Sequence, residues 1–182
     1  MMSLAHLCAC GLEGIDGFLV DVEIHRSEAP GGIGRTTVVG LPDAAVRESI
    51  ERVDAALAHS GLEIAPADRL TISLAPADRR KEGPAFDLAV ALGLAATVEG
   101  NGLPTRLDGV LCHAELALDG RLRPVRGSLA AALTAAQANL VAIIVAPENA
   151  AEALAAEGPR VYAPRDLSEA CRWLRRGLDQ CP

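Results

Sequence analysis

Residues 127–163 read GSLAAALTAAQANLVAIIVAPENAAEALAAEGPRVYA, and this stretch decides the fold class. Gly127-Ser128 opens an Ala-rich helical segment that runs to about Ala138. Val141 to Val145 is wholly apolar and mostly β-branched, the pattern of a strand covered on both faces. Pro147-Glu148-Asn149 starts a short helix to about Ala156, and Arg160 to Ala163 reads as a further strand. Asp166 to Arg176 forms a terminal helix with the only tryptophan, Trp173. Helices and strands that alternate in this way place two parallel strands in a layered α/β unit.

Working back towards the N-terminus, the pattern becomes mixed. Residues 4–12 and 17–27 read as two strands joined by a turn at residues 13–17. In the second, Phe18, Val20, Val22 and Ile24 alternate with Asp21, Glu23 and His25. A glycine-rich loop (28–34) precedes a β-branched strand at Thr36 to Val39. Gly40-Leu41-Pro42-Asp43 then opens a helix to about Ser60, whose stripe of Val46, Ile50, Val53 and Leu57 is amphipathic. Arg69 to Leu74 is a strand, and residues 75–84 form a polar loop. Residues 86–98 make a helix that is apolar almost all round and therefore predicted to be buried. Asp119-Gly120 between Val110–Leu118 and Arg121–Val125 signals a β-hairpin. The expected order is β-β-β-α-β-α-β-β-α-β-α-β-α, in one domain over 1–182 or two subregions, 1–126 and 127–182.

Bulk properties narrow the function classes. The chain has 182 residues, is 50% hydrophobic and carries a net charge of -7, enough for one good core and the wrong overall sign for a free-standing nucleic-acid binder. The longest apolar run, Leu88 to Ala96, is far short of the ~20 residues of a membrane span. No basic segment precedes an apolar one at the N-terminus, which predicts a cytoplasmic location. The five cysteines (8, 10, 112, 171 and 181) form no CxxC and read as reduced thiols. His6, Cys8 and Cys10 share one strand face, a line that reads as packing rather than a metal site. The four histidines are scattered and read as surface residues, so no metal site is predicted.

Nucleotide motifs are absent. The only lysine, Lys81, is followed by Glu82, so no Walker A loop forms. The glycines at 31, 32 and 34 lack a following helix, and no GxGxxG opens a helix after a strand.

Two segments carry more. Lys81-Glu82-Gly83-Pro84-Ala85 before a buried helix, and Gly120 to Leu129 after a hairpin, together resemble the protease domain of Lon, with its ribosomal protein S5 domain 2-like fold. That resemblance implies an α/β (α+β) domain with mixed sheets and packed helices. It places the nucleophilic serine at Ala85 and its activating lysine at Leu129. Neither residue can do that chemistry, so the dyad is vestigial. A shifted dyad would need Lys81 with Ser73 or Ser128, for which the spacing gives no support.

A resemblance covering nearly the whole chain rests on residues 39–49 (VGLPDAAVRES), 71–78 (TISLAPAD), Lys81-Glu82-Gly83, Phe86-Asp87-Leu88 and 114–120 (AELALDG). These are similar to the N-terminal domain of the ComM family, also called YifB or Mg-chelatase subunit ChlI-like proteins. Ser73, Arg80 and His113 stand where that family usually carries Asn, Pro and Gly. The resemblance implies an accessory domain that precedes an AAA+ module in a hexameric ring linked to DNA processing in competence. ATP and Mg would bind only in that module, leaving none for this chain. Arg79, Arg80 and Lys81, with Arg121, Arg123 and Arg126, are the candidate contacts to DNA or to the ATPase ring, set against the alternative of solvated charge. Glu82 and Asp87 read as a dipole-favourable helix entry, with Asp87 bonding amides of its own helix.

Overall fold

The computed structural model describes residues 2–29, 34–62 and 68–180. In chain order its elements are β1 (Ser3–Glu13), β2 (Asp16–Glu28), β3 (Arg35–Val39), α1 (Ala44–His59), β4 (Asp68–Ala75), α2 (Asp87–Ala96), β5 (Arg106–His113), β6 (Glu115–Leu116) and β7 (Leu122–Arg123). There follow α3 (Ser128–Gln137), β8 (Ala142–Val145), α4 (Ala150–Leu154), β9 (Arg160–Tyr162) and α5 (Leu167–Arg176). The order and types match the pattern read from the sequence except between α2 and α3, where three strands stand in place of two. Part of the 28–34 loop, with Gly31 and Gly32, lies outside the described residues, as does Cys181.

Seven strands form one sheet in the order β3-β4-β2-β1-β5-β8-β9. Four of its six pairings are parallel and two, β1 with β2 and β2 with β4, are antiparallel. The fold is thus mixed α/β around a mostly parallel central sheet. β1 and β2 pair from Ser3↔Arg26 to Glu13↔Asp16, so the turn needs only Gly14 and Ile15.

Alternation along the strands divides the interior in two. On one face Leu7, Ala9, Val22, Ile24, Ile72, Cys112 and Ile144 meet α1, α2 and α5. On the other Cys10, Leu111, Ile143 and Val145 meet α3 and α4. α2 lies under α1 and α5 with all ten residues buried, as its unbroken apolar composition requires. β8 is buried at every position and lies between β5 and β9.

Three expectations need correction. The predicted hairpin of residues 110–125 does not form as one ribbon. β5 joins the main sheet between β1 and β8, and only Glu115-Leu116 pairs with Leu122-Arg123. The strand breaks at Ala114 because its N–H goes to Ala85 O and its carbonyl takes Leu88 N–H, both from the entry to α2. The helix read as opening at Gly40-Leu41-Pro42-Asp43 begins only at Ala44, so Pro42 lies ahead of its first turn, while Asp43 is the N-cap at its positive end, its Oδ1 accepting from Val46 N at 2.7 Å. The expectation of surface histidines fails at His113, which is wholly buried at the end of β5.

Gly40 sits where β3 turns towards α1, with φ 102°. A Cβ placed there would lie 1.9 Å from the Leu74 carbonyl oxygen. Gly40→Ala meets both a forbidden backbone and a clash, and is expected to lower the unfolding free energy by about 2 kcal/mol or more. Urea denaturation of the two proteins checks this.

Candidate functional site

The two segments singled out in the sequence converge on residues 113–114. A single helical turn, Pro84–Phe86, leads into α2 and holds Ala114 through Ala85 O. On the next residue, His113 Nε2 donates to Arg126 O at 3.2 Å, just before α3 begins. Ala85 therefore lies on the turn before α2, half-buried, and Leu129 lies in the first turn of α3, 38% exposed. Leu129 N donates to Glu152 Oε1 at 3.1 Å, so a carboxylate from α4 already caps that helix. Ala85 offers a methyl group and Leu129 an isobutyl group, with neither nucleophile nor base between them.

Lys81 cannot take over either role. It is wholly buried, and its ammonium donates to Arg79 O at 2.7 Å and to Pro76 O. Burial lowers its pKa, but both of its acceptors are backbone carbonyls of its own loop. Its own backbone bridges to the α1 entry: Lys81 N donates to Leu41 O, Asp43 N donates to Lys81 O, and Gly83 N donates to Asp43 Oδ2. Lys81 is a tie for the loop and no part of an exposed basic surface, contrary to its inclusion among the candidate contacts.

Ser128, the other candidate for a shifted dyad, is buried with no hydrogen-bond partner for its hydroxyl among the described residues. The Nδ1 of His113 also has none. Burial lowers the His113 pKa, which keeps the ring neutral, and Nε2 is the protonated nitrogen because it faces a carbonyl. His113 thus lies behind the α3 entry, its ring bonded to the Arg126 carbonyl.

The candidate arginines are largely neutralised. Arg79 pairs with Glu13 and stacks on Phe18, 4.0 Å from the ring centroid. Arg80 pairs with Glu82 at 3.2 Å, Arg121 with Asp119 at 2.8 Å and Arg123 with Glu115 at 3.5 Å. Arg126 is exposed. Arg79 and Arg80 line a cleft of about 340 Å3 at the tip of the β1–β2 hairpin, where Glu13, Asp78 and Glu82 outnumber them. Arg79 and Arg80 thus lie at this cleft and Arg121 and Arg123 at the β6–β7 turn, each facing a carboxylate.

His6, Cys8 and Cys10 share a strand face, but their polar atoms diverge. His6 lies between Asp108 (2.6 Å) and Asp21 (3.3 Å), and Cys10 Sγ faces Thr134 Oγ1 at 3.8 Å. Burial raises the pKa of Cys8 to about 11, and that of Cys10 is also raised by burial. Both therefore remain neutral thiols.

Asp87 stands in the first turn of its helix as read, but its partners are others than expected. Instead of capping its own helix it accepts two hydrogen bonds from Arg52 of α1, at 2.9 and 3.2 Å, and one from Leu116 N of β6 at 3.2 Å. An acid in an otherwise apolar run and an arginine on the flank of an amphipathic helix were the available signals. Neither names the other at a separation of 35 residues.

A family model for subunit ChlI of Mg-chelatase matches residues 22–149, well over half of the chain. The chain belongs to this ChlI-like family. Within it, the chain is 37% identical over 181 residues to the competence protein ComM of Haemophilus influenzae, covering 100% of the chain and 34% of that relative. It is 36% identical over 173 residues to the uncharacterized protein YifB of Escherichia coli, covering 95% of the chain and 33% of the relative. The YifB protein of Salmonella typhimurium gives 38% over 173 residues, 95% and 33%. The chain thus spans about a third of the length of the curated relatives it matches.

Burial, opposed by Arg52 and the Leu116 amide, raises the Asp87 pKa to about 6. The native state therefore holds a proton that the unfolded chain releases near its ordinary value of ~3.9. The stability from this group is complete below about pH 4 and is lost as pH climbs through about 6. Carboxyl NMR titration should place the Asp87 midpoint near 6, and Asp87→Asn should flatten the stability profile across that window. Arg52→Ala leaves the buried carboxylate without its cation. It is expected to cost about 3 kcal/mol at neutral pH, measured by urea denaturation, and to move the Asp87 midpoint further up.

Proposed function

We propose that this chain is a non-catalytic accessory module of a larger ComM/YifB-type ATPase, built on a Lon-like, S5 domain 2-like scaffold whose peptidase chemistry has been lost. The observation that carries this reading is the pair of dyad positions. They hold Ala85 and Leu129 while the only lysine, Lys81, is buried and bonded to the carbonyls of Pro76 and Arg79. ATP and Mg belong to the AAA+ module of the same polypeptide, which assembles as a hexameric ring in the cytoplasm and acts in DNA processing during competence. The module's role in that assembly is to position the ring and its partners. The match to ComM and the chain's coverage of only a third of its relatives support this reading.

Incubation of the chain with unfolded casein and with fluorogenic peptides is expected to give no cleavage. Sustained turnover, abolished by a serine-directed inhibitor, would overturn the proposal. Direct DNA contact through the candidate arginines is a weaker reading, because four of them already face carboxylates. Removing Arg79 and Arg80 together is expected to leave the salt dependence of duplex binding unchanged. A fall in slope of about two would assign the loop as a phosphate contact.

A further inference from the structure

β3 is the outermost strand at one side of the sheet. Its inner edge pairs with β4 from Arg35↔Arg69 to Val39↔Ser73, and no described strand pairs with its other edge. Such an edge presents a row of unpaired N–H and carbonyl groups, which proteins commonly blunt with a proline, a bulge or a charge within the strand. Arg35-Thr36-Thr37-Val38-Val39 has no proline, its register with β4 runs without a shift, and its one charge stands at its first residue. The other four residues are β-branched, which holds the backbone extended and ready to pair.

The sheet face beside this edge is open. α3 packs across β1, β2, β5 and β8, and the register lays out the side chains nearer β3 in rows. Ser27, Arg69 and Arg35 form one row, His25, Thr71 and Thr37 the next, and Glu23, Ser73 and Val39 the third. None of these residues is buried. Arg35 and Arg69 are exposed side by side, and neither has an ion-pair partner among the described residues. Arg79, Arg80, Arg121 and Arg123, by contrast, each face a carboxylate. At the far end of the strand Val39 is 44% exposed, and Leu41 beyond the turn is 54% exposed at φ 56°, a backbone region that leucine seldom enters. The Leu41 carbonyl accepts from Lys81 N, which ties this residue to the buried lysine loop. The edge thus carries two unpaired positive charges at its start and two exposed apolar side chains at its end.

We propose that β3 accepts an added strand: an extended acidic segment of a partner protein pairs with its free edge. Main-chain hydrogen bonds supply the affinity, and alternate side chains of the guest lie over the open face. A carboxylate at one end of the guest meets Arg35 and Arg69, and an apolar side chain at the other meets Val39 and Leu41. The sign of the guest follows from the arginine pair, which repels a basic segment and attracts an acidic one. The contact uses none of the residues on which the reading as a non-catalytic module rests, so either can fail without the other.

Amide NMR of the isotope-labelled chain tests this with blocked synthetic peptides of about six residues, the length that spans β3 at ~3.3 Å per residue. One peptide places glutamates ahead of valines and a second reverses the order, so that both strand directions are sampled. At roughly 2 mM, one of the two is expected to shift the amides of residues 35–41 and to slow their exchange with solvent. Replacing its glutamates by lysines, or N-methylating its alternate amides, is expected to weaken binding at least about tenfold. Arg35→Glu with Arg69→Glu is expected to do the same. Both arginines are exposed, circular dichroism verifies folding, and Arg35→Gln with Arg69→Gln provides a milder second variant with a smaller loss. The proposal is overturned if neither acidic peptide perturbs residues 35–41, or if the lysine peptide, the N-methylated peptide or the glutamate variant binds as well as the reference. A DNA duplex that shifts Arg35 and Arg69 where the acidic peptides do not assigns these arginines to phosphate and overturns it too. So does a mass above 18.9 kDa without peptide, with residues 35–39 protected, which assigns the edge to a second copy of the chain.

Discussion

A single buried carboxylate ties two helices to the short β6–β7 ribbon. Asp87 has no exposed surface, yet it receives the Arg52 guanidinium from α1 and the Leu116 amide from β6 while forming the first residue of α2. An isolated carboxylate in this apolar layer would be costly, so Arg52 and the β6 backbone must be in place whenever it is charged. That requirement fixes the approach of α1 to α2 and the departure of the chain from β5. The same junction is closed from the other side by Ala114, whose N–H and carbonyl both bond to the α2 entry. An apolar residue at position 87 could fill the volume but could not specify the orientation of three elements at once.

The region around these ties brings together the two turns singled out in the sequence. The turns carrying Ala85 and Leu129 are held one residue apart on the chain, at Ala114 and His113. The surrounding charges are spent locally: Lys81 on its own loop, Glu152 on the α3 entry, Arg79 on Phe18 and Glu13.

Much of the architecture was legible because it depends on local periodicity. The α1 stripe of Val46, Val53 and Leu57 is buried as its spacing requires, and the unbroken apolar run of α2 announced its central position. Features set by distant backbone atoms were not legible. The hairpin signal at Asp119-Gly120 is real, but it extends only as far as Leu116, because Ala85 and Leu88 claim Ala114 first. Lys81 looked like surface charge because lysine usually is. Its burial follows from carbonyls that the folded loop points inward, which no side-chain pattern records. Where the candidate arginines lie in the chain was legible, but their neutralisation by Glu13, Asp119 and Glu115 was less so, since only the folded chain brings some of these partners together.

The position of β1 in the middle of the sheet imposes an order in time. Its antiparallel partner β2 follows after a two-residue turn, so that ribbon can form as soon as the first 28 residues are free, and β4 can extend it. The other edge of β1 must wait for β5, and therefore for residues 106–113 to be synthesised. Until then the central strand of the domain exposes a row of unpaired backbone groups beside Leu7 and Ala9, the kind of edge that other chains can join. Pairing separated by about 100 residues is also the slow kind. The seam between β1 and β5 is thus where synthesis leaves this domain open longest, and where help from a chaperone would matter most.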